Sequence, residues 1–132
     1  MKFLEEGGGM RVFAKEELMK NMVDHPYETN PDFHAKVNFF FYSKDRKMVM
    51  AYYEAPEGWF DVEVKGFDEI DYVLEGEVEL HSEGKTLTAK AGDCFLIQDG
   101  DRFRWKMKKP SKMVFFLYPI TEEIQKVIES CK

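Results

Sequence analysis

Only two cysteines occur, Cys94 and Cys131, and neither has the spacing of a metal or redox pair. Nothing in their use suggests an oxidising compartment. No run approaches the roughly 18 apolar residues of a membrane span. Residues 1–10 contain Glu5, Glu6 and three glycines and no apolar segment, so they do not read as a signal peptide. Gly7-Gly8-Gly9 is not followed by the lysine-serine ending of a phosphate loop and reads as a flexible joint in a loose lead-in. Excess positive charge is missing too. Twenty-five acidic against 19 basic residues leave a net charge of −6, which makes nucleic acid and anionic membrane poor partners. The one local basic cluster, Lys106, Lys108, Lys109 and Lys112, reads as a solvated loop. Together these point to a soluble, cytoplasmic protein.

What is abundant is apolar and aromatic. Hydrophobic residues make up 44% of the 132 and aromatics 15%, a globular composition large enough for one domain with one core. The chain divides into three stretches. Residues 1–33 are a lead-in with a short helix over 14–23, where Leu18, Met19, Met22 and Val23 keep one-sided spacing. Residues 34–119 are strands: 37–42, 48–53, 60–64, 69–74, 77–81, 86–89, 94–97, 103–107 and 113–118 are separated by turn residues. Gly76 is placed at a turn, Ser82-Glu83-Gly84-Lys85 at a hairpin, and Lys109-Pro110-Ser111 in a loop. Cys94-Phe95-Leu96-Ile97 reads as core. Nine or ten short strands with frequent turns predict an antiparallel sandwich or barrel. Residues 120–132 form a helix capped by Thr121, with Ile124, Val127, Ile128 and Cys131 on the face that packs on the barrel.

The centre of the pattern is Glu69-Ile70-Asp71-Tyr72-Val73-Leu74. Residues two apart share a strand face, so Glu69 and Asp71 point one way and Ile70, Tyr72 and Leu74 the other.

Two stretches resemble the motifs of the cupin superfamily, the RmlC-like jelly rolls. Glu69 stands seven residues before Gly76, as in the first motif, and Gly92, Asp93 and Gly100 fit the second. The words from Asp68 to Glu77, Ala89 to Asp93 and Met113 to Pro119 are similar to one branch, the ethanolamine utilisation proteins EutQ. The resemblance covers about residues 59–119. It implies an all-β fold, an antiparallel double-stranded jelly-roll barrel flanked by the two helices, with Glu69 and Asp71 facing a pocket. It also implies a metal site in many members, held by three histidines and the glutamate. Here the first histidine pair falls at Val62 and Val64, or at Glu63 and Lys65 if the spacer is one shorter, and the third falls at Phe103. A transition metal held by Glu69 alone would be weak, so no metal or other cofactor is expected. The histidines present, His25, His34 and His81, do not fit the motif and are assigned surface or capping roles.

Two inward carboxylates in a partly apolar barrel resist ionisation, which suits general acid-base work or metal-free binding of a polar ligand. Glu69 and Asp71 are therefore the candidate catalytic pair, and Tyr53, Phe103, Trp105 and Glu63 the candidate ligand contacts. The competing reading pairs the two carboxylates with Arg102 or Arg104 across the sheet, and makes Trp59, Trp105, Tyr53 and Tyr72 core packing. Which face of 60–65 points inward stays open. Three functions compete: a EutQ-like role in small-molecule metabolism, a ligand sensor without turnover, and a metal enzyme using Glu63, Glu69 and Asp71. The resemblance suggests an acetate kinase-like activity for the first, by analogy only, since no phosphate loop is visible. EutQ proteins also carry a longer N-terminal segment than the one present here. Aromatic-rich 38–42 is expected to pack between subunits of a homodimer.

Overall fold

The computed structural model describes residues 10–132; the glycine triplet and the N-terminal stretch read as no signal peptide lie outside the described residues. The elements follow in the order α1 (Lys15–Lys20), β1 (Val23–His25), β2 (Ala35–Tyr42), β3 (Val49–Ala55), β4 (Gly58–Glu63), β5 (Asp68–Ser82), β6 (Lys85–Lys90), β7 (Cys94–Ile97), β8 (Arg102–Tyr118) and α2 (Glu122–Ser130). The strand pairings are antiparallel, as the strand pattern predicts, and the fold is the all-β jelly roll that the cupin resemblance implies.

Eight described strands replace the expected nine or ten: two pairs of the nine segments fuse, and the unpredicted β1 is added. Gly76 does not reverse the chain. It sits inside β5 at φ +99°, among register shifts between Val73 and Val78. Lys109-Pro110-Ser111, expected as a loop, lies inside β8 opposite that irregularity. A bulge tolerates a proline, which has no N–H to give a ladder, and it bends both strands. The bend lets β5 and β8 serve two sheets. Their outer halves pair around Ile70 and Phe116, flanked by β7 and by β3 with β2 and β1 beyond. Their inner halves pair around Leu80 and Trp105, flanked by β6 and β4. Between the layers lie fully buried Val37, Val49, Val73, Val78, Met107 and Met113. Each such side chain contributes about 1.5–3 kcal/mol of burial. The lysine cluster rides on β8 rather than a loop, with Lys108 3.5 Å from Glu79 and Lys112 3.4 Å from Glu75.

The ends differ from expectation in one respect. Helix α1 is only Lys15–Lys20, and Val23–His25 forms edge strand β1 on β2. Lys132 closes that edge: its backbone N–H donates to Asp24 O and its carbonyl accepts from Asp24 N, both at 3.1 Å. Helix α2 follows its sequence. Thr121 Oγ1 accepts from Ile124 N at 3.2 Å, and Ile124, Ile128 and Cys131 pack on the core. Val127 is more exposed than its spacing implies.

Strand β7 corrects the core reading of Cys94. Phe95 and Ile97 point inward, while Cys94 and Leu96 are exposed, because this strand is covered on one face only. Its outward residues continue an apolar strip. Leu96 pairs with Ile70 and Ile70 with Phe116; Cys94 pairs with Tyr72 and Tyr72 with Val114. Ile70, Tyr72, Leu74, Leu96, Phe116 and Tyr118 are 36–52% exposed. The 38–42 segment, by contrast, is covered: Asn38 and Phe40 are buried, with the Phe13 ring 4.8 Å from that of Phe40.

Candidate functional site

Alternation along β5 turns Glu69 and Asp71 into the barrel. Their cross-strand neighbours offer no polar group. Asp71 lies between Phe95 and Phe115, and Glu69 between Ile97 and Leu117. Asp71 is 1% exposed and neither carboxyl oxygen receives a hydrogen bond from a donor group. Glu69 is half-buried and keeps access to the cavity. Burial first, and then the charge and hydrogen bond of Glu69, push Asp71 well above the usual carboxylate range. Burial also raises Glu69, opposed by its hydrogen bond with Asp71. The two carboxyls act as one unit. A proton on Asp71 would let its O–H donate to Glu69 and would leave Glu69 as the group facing the cavity.

That cavity has a volume of about 660 Å³. Its walls are aromatic: Tyr53 of β3, Phe60 of β4, and Trp105 and Phe115 of β8. Burial falls away toward a mouth made by residues 25–29, by Asp61, Val62 and Glu63 of β4, and by Glu123, Lys126, Val127 and Ser130 of α2. The hydroxyls of Tyr27 and Tyr53 meet at 2.6 Å. The Tyr27 ring is stacked between His25 at 4.3 Å and Phe60 at 3.9 Å. Burial raises the pKa of both tyrosines, so each keeps its proton. Burial lowers that of His25, which stays neutral, its Nδ1–H donating to Pro26 O at 3.0 Å. Trp105 Nε1 is buried with no acceptor.

Glu69, Asp71, Tyr53, Trp105 and Glu63 all border this cavity. Phe103 does not; its ring packs 6.2 Å from that of Trp105. The open face of 60–65 is settled: Phe60 and Val64 are buried, and Glu63 is exposed at the rim, 3.5 Å from Lys65 and 3.8 Å from Arg102. The arginine pairing proposed for the carboxylates does not form. Arg104 binds Asp61 at 2.8 Å and covers Trp59 at 3.9 Å, because alternation on β8 turns both arginines outward and Trp105 inward. Tyr72 is on the outer strip rather than in the core. His81 is half-buried between Glu79 at 2.8 Å and Thr86 at 3.1 Å, away from the cavity, and His34 is exposed. His25 and Tyr27 were not legible as site residues. His25 ends the short strand β1 and Tyr27 follows it, and the docking of the next loop residues, Thr29 and Asn30, on β4 brings them in.

The residues do not fit the metal that many cupins hold. Val62 on β4, Val64 just after it and Phe103 on β8 carry no ligand atoms, and Glu63 is held at the rim by cations. Among the described residues no group of three or more His, Cys, Asp or Glu is arranged to hold a metal ion.

Residues 8–123 match the family described as ethanolamine utilisation protein EutQ. The chain belongs to this family. EutQ of Escherichia coli K12, named an acetate kinase, is 40% identical over 53 residues, 40% of this chain and 23% of that protein. The chain therefore spans about a quarter of the length of that curated relative. A solved structure of a putative ethanolamine utilization protein Q from Salmonella typhimurium superposes with a TM-score of 0.64 at 24% identity, covering 73% of this chain and 78% of that one. The cupin domain of Schizosaccharomyces pombe Cnp3 superposes with a TM-score of 0.57 at 18% identity, covering 70% and 69%. This EutQ-family chain thus has a cupin barrel whose cavity is lined by carboxyls and aromatics. Among the described residues no helix is long and apolar enough to cross a membrane.

Proposed function

We propose that this EutQ-family chain is a cytoplasmic, metal-free cupin of ethanolamine utilisation that binds a small organic molecule in its barrel. Glu69 meets the ligand, and Asp71 behind it holds the shared proton. One observation carries the reading: a buried carboxyl pair without a counter-charge faces an aromatic cavity through one accessible member. Such a pair can accept from a ligand O–H or N–H and can give or take a proton near neutral pH. Tyr53 and Trp105 add donors on the walls, and Glu63 borders the mouth.

The acetate kinase name of the relatives supplies a second reading. The lining weighs against a nucleotide in this cavity: Glu28, Asp61, Glu63, Glu69, Asp71 and Glu123 border it, against Lys126 and neutral His25. Polyphosphate would be repelled.

The test is a metabolite screen followed by the indole N–H resonance of Trp105. Molecules that shift it are expected to bind at least about tenfold more weakly to Glu69→Gln, the cost of a charge-assisted hydrogen bond. Binders indifferent to that substitution would remove Glu69 from the site.

We also propose a homodimer, through the outer strip of β5, β7 and β8 rather than through 38–42. A contiguous apolar strip of this kind is unusual on a monomer. Its rim carries both signs, Asp68 and Glu75 with Lys112, so an isologous second copy meets opposite charges. Light scattering should give twice the chain mass, and Tyr72→Lys should give the monomer with the fold intact. A monomeric wild type at its highest soluble concentration would overturn this.

A further inference from the structure

We infer that the molecule the cavity takes is a small organic monocation, of the primary ammonium class. The inference rests on the small-molecule reading above and adds the sign of the ligand's charge.

Three observations point the same way. The first is the uncompensated charge at the deep end. Glu69 and Asp71 have apolar cross-strand neighbours, and the arginines of β8 are committed elsewhere, Arg104 to Asp61 at 2.8 Å and Arg102 to Glu63 at 3.8 Å. A buried carboxylate needs a partner, and the protein supplies none. The second is the walls. Tyr53, Phe60, Trp105 and Phe115 offer aromatic surface, whose ring faces attract a desolvated cation. The third is the mouth. Glu28 and Glu123 have no ion pair among the described residues, and the one cation there, Lys126, sits exposed on α2. His25 is neutral, so it adds no opposing charge. The pair presents one negative charge once a single proton is shared, and one ammonium matches it. The ammonium N–H groups would donate to Glu69, and the carbon chain would lie against the rings.

Binding of a cation competes with the second proton of the pair. Affinity should therefore rise with pH through the range in which Glu69 ionises, by up to about tenfold per unit. The alkyl alcohol of the same shape has no such dependence.

The experiment titrates the full chain with n-butylammonium chloride and with 1-butanol at constant ionic strength, following Trp105 Nε1–H. The expected result is that butylammonium binds at least about tenfold tighter than butanol near pH 7.5 and that this advantage shrinks steadily as pH is lowered, as the charged carboxylate is titrated away. Glu69→Gln should weaken both probes and abolish the preference, costing butylammonium at least about tenfold more than butanol. Equal binding of the two probes in the wild type, or preference for butanol, would overturn the cation assignment and leave the small-molecule reading standing, provided that Glu69→Gln weakens both. No shift with either probe, or shifts that ignore Glu69→Gln, would overturn both. The wild-type comparison of two probes needs no variant, so misfolding of Glu69→Gln does not shelter the inference.

Discussion

Gly76→Ala is expected to lower the stability of the fold by about 2–6 kcal/mol. Gly76 has φ +99°, in the region that side chains avoid. A methyl group there would meet Ser111 Oγ, and would stand 2.7 Å from both Pro110 O and Ser111 Cα. The side-chain atom could rotate away. The two backbone atoms could not, because β5 and β8 are locked together on both sides of the bulge. Ser111 is itself fixed, accepting from Glu77 N at 3.2 Å and donating to Lys109 O at 2.9 Å. Conformational strain and overpacking cost about 1–3 kcal/mol each. The sum is a large share of the roughly 5–15 kcal/mol that holds a domain folded. Urea unfolding of Gly76→Ala, and of Gly76→Ala with Ser111→Gly, separates the parts. The second change removes the hydroxyl contact and leaves both backbone contacts, so it should recover only a minor fraction. A Gly76→Ala chain with a midpoint near that of the wild type would mean that β5 and β8 slide apart at no cost.

The same glycine shows where sequence patterning stops. A glycine with positive φ between two alternating segments is common to a hairpin turn and to a bulge, and nothing local tells them apart. What decides is whether the following segment pairs back on the first or continues beside a third strand, a non-local matter. Pro110 misleads for the same reason. Its missing N–H fits a loop and fits a bulge equally well. That Glu69 and Asp71 share a face, by contrast, follows from the two-residue period alone, since Ile70 and Tyr72 had to take the other; their inward aim was implied only by the cupin resemblance. Yet that period does not say which face is wet. Ile70, Tyr72 and Leu74 are the more apolar set and lie outside, while the carboxyls lie inside. Cys94 and Leu96 fail alike: a four-residue apolar run suggests burial on both faces, and β7 has only one covered face. Helix α2 was legible because its cap, its acidic first turn and its packing face are local. His25 and Tyr27 were not, because only the pairing of β1 on β2 and the tertiary docking of the loop after it bring them to the cavity.

Replacement of Asp71 by asparagine should stabilise the fold at high pH and not at low pH. Asp71 is buried and holds its proton more tightly in the folded chain than in the unfolded one, where the usual carboxylate value of about 3.9 applies. The folded state thus binds more protons than the unfolded state between those two values. Stability falls with rising pH wherever that is so. The contribution of the protonated carboxyl is complete below about pH 4 and is lost as pH rises through the folded value. An asparagine amide has nearly the shape of the protonated acid and never ionises. It also donates permanently to Glu69, as the shared proton does in the wild type. Asp71→Asn should therefore match the wild type near pH 4 and exceed it near pH 8 by roughly 1–3 kcal/mol, the cost of an unsatisfied buried polar group. Urea unfolding at both pH values measures the difference. Glu69→Gln gives the contrast. Glu69 borders the cavity and is half-buried, so its removal should move stability less and ligand affinity more. If Asp71→Asn were less stable than the wild type near pH 8, the carboxylate would have a donor in the folded chain, since an unsatisfied buried charge cannot stabilise. Asp71 would then be an anchor of the sheet and not the holder of the proton behind Glu69.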